Sequence, residues 1–273
     1  MPASRQAVLV GPAADSVEEA APPRWLDRER LKRIRNFQSS EFYSRLVMRP
    51  LSVLLMLVCA DWKWLTPNMV TTLANVFKLL GAALIVLDHR EYALSAAIIL
   101  QLGLLFDHVD GTLARYRKTG STFGAFYDKV SDAVTWLVIS GALGWAAYVE
   151  TGSVWMPIGA IAAAYLLLVM GYMKWIVAAA TQHTPATPAV DPPSRTPKQW
   201  AAWLLSSIGR ACYFEEVDLF FWIGLGLLLD QLPLTILLLL VSQGVQMVFM
   251  IIKRGMQMQQ LDAARARTIS IAA

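Results

Sequence analysis

The chain has 273 residues, of which 56% are hydrophobic and only 16% charged, with a mean hydropathy of +0.46. Soluble domains carry about 25% charged and about 45–50% apolar residues, whereas here long apolar runs fill the stretch from Leu51 to Ile252. This excludes a disordered protein, a disulfide scaffold and an ordinary soluble enzyme, and describes an integral membrane protein. The net charge of +4 and isoelectric point near 9.1 do not indicate nucleic acid, because the basic residues sit beside apolar segments, as at a membrane surface. Cys59 and Cys212 are too far apart for a CxxC pair or metal knuckle and read as small buried hydrophobes.

Residues 1–22 are rich in Ala, Pro and Ser, lack the apolar core of a secretory signal, and read as a disordered tail. A basic and amphipathic juxtamembrane region follows over 23–62. It holds the basic segment Arg24–Arg35 and then Pro50–Ala60, which is too short to span and is expected to lie along the interface. A crossing helix needs about 20 apolar residues at about 1.5 Å each. Six stretches qualify: Asn68–Leu87, Tyr92–Gly111, Phe126–Tyr148, Trp155–Ala178, Val217–Leu232 and Pro233–Ile252. The last two are joined by a tight turn at Asp230-Gln231-Leu232-Pro233, and the five prolines of Thr181–Pro197 mark a loop.

The expected fold is therefore an all-α integral membrane protein with six transmembrane helices and an N-terminal interfacial amphipathic helix. The six-helix domain covers 63–256 and a C-terminal tail 257–273. Basic residues crowd the segment before the first span, follow the second (Arg115, Arg117, Lys118), lie between the fourth and fifth (Arg195, Lys198, Arg210) and follow the sixth (Lys253, Arg254, Arg265, Arg267). The opposite loops contain only Arg90. Both termini should then face the cytoplasm across the cell membrane, in keeping with an even number of spans. Trp62, Trp64, Trp136, Trp155, Trp175 and Trp203 are expected to act mainly as interfacial anchors.

Ionisable groups at membrane depth are expensive and mark function. Asp107 and Asp110, spaced i,i+3, end the second span, and Asp128 and Asp132, spaced i,i+4, begin the third. Each pair shares a helix face, and the intervening loop brings the faces together. Four converging carboxylates repel unless cations sit among them. All-oxygen ligands favour Mg²⁺ or Mn²⁺, and four carboxylates suit two such ions clamping a diphosphate. Gly111 and Gly124 allow close approach of a ligand or neighbouring helix. Arg115, one turn beyond Gly111, offers bidentate hydrogen bonds to phosphate, and Ser121 and Thr122 add hydroxyls. Lys129 would help balance the acidic charge, and His108 falls on a different helical face, where packing is expected.

The string Asp107-x2-Asp110-Gly111-x2-Ala114-Arg115-x8-Gly124-x3-Asp128-x3-Asp132 resembles the complete signature of the CDP-alcohol phosphotransferases, with no position departing from it. Thr66-Pro67-Asn68-Met69-Val70-Thr71 at the start of the first span is also similar to that family. The resemblance implies that Asp107, Asp110 and Asp128 coordinate two divalent ions, Mg or Mn, and that Asp132 is both a ligand and the general base. It implies that Gly111, Arg115, Ser121 and Gly124 border the CDP moiety, with Asn68 and Thr71 nearby. The donor would be a CDP-alcohol such as CDP-diacylglycerol, the acceptor a small alcohol or alcohol phosphate, and the product a membrane lipid, with CMP released. Members often form homodimers, so a homodimer is expected.

The acceptor stays open. Phe42–Ser52 resembles the branch that includes archaeal-type inositol-phosphate transferases, and Lys174 or Arg210 would suit an acceptor phosphate. Lys174 equally suits a side chain reaching to the membrane surface. Glu215, Glu216 and Asp218 would suit a cationic amino alcohol, or pair with Arg210 at the surface. Two other functions use aspartates and divalent ions in membranes: an intramembrane prenyltransferase, which releases pyrophosphate, and a divalent-cation transporter, which spreads its carboxylates across the bilayer.

Overall fold

The computed structural model describes residues 28–35, 41–181, 196–210 and 214–272. The tail over 1–22, Arg24, nearly all of the proline-rich loop, and Cys212 lie outside the described residues. Among the described residues the chain is all-helical. In order come α1 (Arg28–Ile34), a π-helical turn (Ser44–Met48) running directly into α2 (Arg49–Cys59), α3 (Pro67–Asp88), α4 (Ala93–Arg117), α5 (Thr122–Thr151), α6 (Trp155–Thr181), α7 (Pro197–Gly209), α8 (Glu216–Leu228) and α9 (Leu232–Ala272).

Among the described residues five helices, α3, α4, α5, α6 and α9, are long and apolar enough to cross a membrane. Their outward faces are apolar too. Val76 and Leu80 on α3, Trp145 and Val149 on α5, Ile158 and Ile176 on α6, and Val245 and Phe249 on α9 are all exposed, as lipid permits and water does not. The predicted fifth span is matched by α8, whose 13 residues make a rod of about 20 Å, shorter than a hydrocarbon core. It stops early because the chain turns at Asp230, which takes a left-handed φ of 53°. By contrast α9 runs beyond Ile252 through most of the predicted tail, since the Met, Gln, Leu, Ala and Arg residues there favour helix.

Helix starts follow from local chemistry. Thr66 accepts a hydrogen bond from the Met69 amide ahead of Pro67 in the first turn of α3, and Ser121 caps α5 by accepting from the Gly124 amide at 2.9 Å. Helix α4 ends on Lys118 in the left-handed conformation. The α4–α5 connection is consequently only Lys118–Ser121. Asp107 and Asp132 each lie about three turns inside their helices, deeper than the helix ends where the sequence reading puts them.

Three helical hairpins, α3–α4, α5–α6 and α8–α9, turn at one end of the bundle. Each is pinched by a glycine on the way to its turn. A Cβ at Gly81 would lie 2.7 Å from the Leu100 side chain, one at Gly144 2.6 Å from the Pro157 Cα, and one at Gly226 2.9 Å from the Thr235 Cβ. Small residues let membrane helices approach in this way. The turns themselves meet through charge: Arg90 pairs with Glu150 at 2.8 Å and with Asp230 at 3.0 Å.

Between the hairpins Leu100, Leu104, Ile139, Leu143, Ile223 and Leu227 form the central core. Trp136 belongs there, its ring 4.8 Å from Phe220, so it is a core residue and not the interfacial anchor expected of it. A second cluster joins Met56 and Cys59 of α2 to Val70 and to Val109 and Leu113, with Cys59 buried as expected. Opposite that face of α2, Leu51, Leu54 and Val58 are exposed. Several basic residues are structural. Arg30 is buried and pairs with Asp61 at 2.6 Å, and Arg117 donates to the Ala60, Trp62 and Leu65 carbonyls that turn the chain into α3.

Replacing Gly144 by Ala presses a methyl group against backbone that has nowhere to move. The expected cost is about 1–3 kcal/mol, seen as a lowered thermal unfolding midpoint of the purified protein in detergent.

Candidate active site

The aspartates come together where the starts of α3 and α5 face the second half of α4. One carboxylate oxygen from each of Asp107, Asp110 and Asp128 lies within 4.8 Å of the others. This oxygen-only set fits a hard divalent cation such as Mg²⁺ or Mn²⁺. Asp110 is the most enclosed and accepts a hydrogen bond from the Thr71 hydroxyl.

Asp132 is held differently. Lys78 donates to its Oδ1 at 3.1 Å and Lys129 to its Oδ2 at 3.1 Å. Lys78 also donates to Asp107 at 2.8 Å, and Lys129 pairs with Asp128 at 3.0 Å. Lys129 thus balances the acidic charge as expected. No motif position points to Lys78. Its mark in the sequence is placement: a lone ammonium within an apolar 22-residue helix, two turns beyond Thr71 on the same face.

Gly124 lies where α3 and α5 converge, since a Cβ there would meet Ser121 Oγ at 3.1 Å and Asn68 Oδ1 at 3.2 Å. Gly111 is covered by Arg115, whose Nη1 would stand 3.2 Å from a Cβ, and Arg115 donates to Thr112 at 3.3 Å. Of the sequence-selected residues, Thr71 and the Gly111 amide donate to Asp110, Arg115 covers Gly111, and Asn68, Ser121 and Gly124 meet one another where α3 and α5 begin. Two of them carry structural duties as well, Ser121 as helix cap and Thr71 as the anchor of Asp110.

His108 makes its hydrogen bonds outside the aspartate cluster. Its Nδ1 donates to the Leu104 carbonyl at 3.0 Å, and its Nε2 lies 3.0 Å from Ser44 Oγ in the π-helical turn. It fastens that turn to α4, the packing role expected of it. Asp218 is fully buried and its Oδ1 accepts from the Tyr43 amide at 2.8 Å, so it serves this same turn and not a surface cluster. Arg45 of the turn lies 4.9 Å from the Trp203 ring of α7.

Beside Asp132 a cavity of about 830 Å³ opens between α5 and α6. Its polar lining includes Lys129, Asp132, Lys174 and Glu216, and the rest is mainly apolar, with Tyr165 and Trp175 prominent. Trp136 donates to Glu216 at 3.3 Å. Lys174 and Glu216 therefore bring opposite charges to one chamber.

A bundle of membrane-length helices with an oxygen-only carboxylate cluster beside an apolar chamber defines a multi-pass membrane protein with a set of ligands that could hold a divalent cation. The profile of the CDP-alcohol phosphatidyltransferases matches residues 64–253, and the chain belongs to that family. It is also 35% identical over 80 residues to a phosphatidylinositol phosphate synthase of Corynebacterium glutamicum. That alignment covers 29% of this chain and 36% of the relative's length.

Just ahead of the π-helical turn, burial and then the carboxylates of Glu215, Glu216 and Asp218 push the Glu41 carboxyl up from its ordinary 4.5 to about 8, with Lys174 opposing. A carboxyl that holds its proton more tightly when folded leaves stability intact below about 4.5 and erodes it as pH rises towards about 8. Thermal midpoints recorded across that window should fall with pH in the wild type, and Glu41→Gln should flatten the slope.

Proposed function

We propose that this chain transfers a phosphatidyl group from a CDP-alcohol, CDP-diacylglycerol foremost, to the hydroxyl of an acceptor alcohol, releasing CMP. The observation that carries this reading is the gathering of Asp107, Asp110 and Asp128 oxygens within 4.8 Å beside an apolar chamber, in a chain of this family. A divalent ion held by these three would supply positive charge to offset the donor's two phosphates. The family pattern also has Asp132 as ligand of a second ion, a place that the Lys78 and Lys129 ammonium groups reach in this chain.

The roles of the chain's own groups follow from where they stand. Asp132 faces the chamber and is assigned the proton of the acceptor hydroxyl, which lets the alkoxide attack the β-phosphorus as CMP leaves. Lys78 and Lys129 fix its two oxygens in place. Arg115 is assigned to the donor phosphates, with Gly111, Gly124, Ser121 and Asn68 shaping the nucleotide's seat. Thr71 acts through Asp110.

For the acceptor, Lys174 and Lys129 in the chamber and the name of the Corynebacterium glutamicum relative favour a phosphorylated inositol. Glu216 in the same chamber favours a second reading, a cationic amino alcohol. We further assign α8 as a sixth crossing, supported by its contacts with Trp136 at its start and the Arg90–Asp230 pair beyond its end. The basic residues then put both termini and the site on the cytoplasmic side, with α2 lying along the interface and the protein acting as a homodimer.

The test is purified full-length protein with CDP-diacylglycerol, Mg²⁺ or Mn²⁺, and a panel of inositol phosphate, inositol, glycerol 3-phosphate, serine and ethanolamine, following CMP. Inositol phosphate should give the fastest release. Preference for an amino alcohol would establish the second reading, and silence with every CDP-alcohol would overturn both.

Two variants probe the roles. Asp132→Asn should slow turnover by about 10²–10⁴-fold while donor binding survives. Arg115→Ala should weaken donor binding by about 10–100-fold, the equivalent of about 1.5–3 kcal/mol for charged hydrogen bonds, as read by titration calorimetry.

A further inference from the structure

Lys78 sits 2% exposed in the bundle with its ammonium shared between Asp107 at 2.8 Å and Asp132 at 3.1 Å. These carboxylates come from different helices, α4 and α5, so one side chain of a third helix ties both together. The surroundings are shaped for it. A Cβ at Gly103 of α4 would lie 2.9 Å from Lys78 Cγ and 3.1 Å from the Ala74 carbonyl oxygen, so the lysine stem occupies room that only a glycine leaves. The Lys78 ammonium also lies 5.8 Å from the centre of the Phe220 ring, within reach of a cation–π contact.

Geometry points the same way. The ion pairs run Asp107–Lys78–Asp132–Lys129–Asp128 and leave Asp110 to the Thr71 hydroxyl. Three aspartate oxygens, from Asp107, Asp110 and Asp128, stand close enough to share an ion. The fourth aspartate faces Asp107 across an ammonium, the place a second ion bridging the two would need. An ammonium and a divalent cation would repel strongly in such a buried setting.

We propose that Lys78 is a built-in counter-cation of the carboxylate cluster, standing where a second divalent ion would bridge Asp107 and Asp132, so that the chain holds one ion at Asp107, Asp110 and Asp128. This rests on the function reading only in taking those three as a cation site. Lys78 is a positioning residue: it binds α4 to α5 through their carboxylates before any ion arrives, and keeps Asp132 turned to the chamber.

The test counts metal. Full-length protein in nanodiscs is stripped with EDTA, dialysed to equilibrium against Mn²⁺, and the bound metal measured by mass spectrometry. A chain with Asp107, Asp110 and Asp128 all changed to Asn supplies the background. Wild type should hold one Mn²⁺ per chain above it, and Lys78→Met or Lys78→Gln two. After EDTA these variants should also melt below wild type and recover with Mn²⁺, because bound ion then supplies the missing bridge. Two ions in the wild type, or one in both neutral variants, would overturn the proposal, and the wild-type count decides even where a variant does not fold. The count needs no donor, acceptor or turnover. One ion in a chain that releases no CMP would overturn the function reading alone, and two in a chain that does would overturn this one alone.

Discussion

Like charges gathered inside an apolar bundle must be offset where they stand, because each uncompensated ion at that depth costs several kcal/mol. The arrangement around the aspartates answers that constraint. Two lysines thread three of the four carboxylates into one alternating chain, Asp107–Lys78–Asp132–Lys129–Asp128, and the Thr71 hydroxyl reaches the fourth and most enclosed, Asp110. The packing answers it as well, since α3 comes near enough to α4 for Lys78 to pass over Gly103.

A second set of charges fixes the frame that presents the cluster. Arg117 gathers the carbonyls of the turn between α2 and α3, and Tyr116 one residue earlier donates to Asp61, the partner of Arg30. On the other side of α4, His108 and the buried Asp218 fasten the π-helical turn. The segments flanking the aspartates are thereby tied to α4 from both directions. Basic residues that would be read only as a membrane-orientation signal include some that carry this load.

Much of this was legible from residue spacing. Asp107, Asp110 and Asp128 announce a shared face by their intervals, and Thr66-Pro67 and Ser121 mark helix starts by cap chemistry that depends on a few neighbouring residues. Lys78 was hidden because a lone lysine in an apolar run looks the same whether it reaches to the surface or meets a carboxylate on another helix. The role of Asp218 depends on a backbone amide 175 positions away, beyond any local pattern. Trp136 has the composition of an anchor and the position of a core residue, and only packing distinguishes them. The length of α8 was likewise set by where the chain turns at Asp230 and not by apolar content, which continues to either side.

The three glycine pinches and the Arg90 pairs all lie towards the end of the bundle opposite the carboxylates. The molecule is thus built like a clothes-peg, with its spring at one end and its jaws at the other. The α3–α4 hairpin is held again near the jaws, where Gly103 lies against Lys78 and Ala74, so any splaying to admit something as bulky as a two-tailed lipid falls to the α5–α6 and α8–α9 hairpins. Stiffening the spring would change how widely the jaws part without touching a single group that meets the cargo.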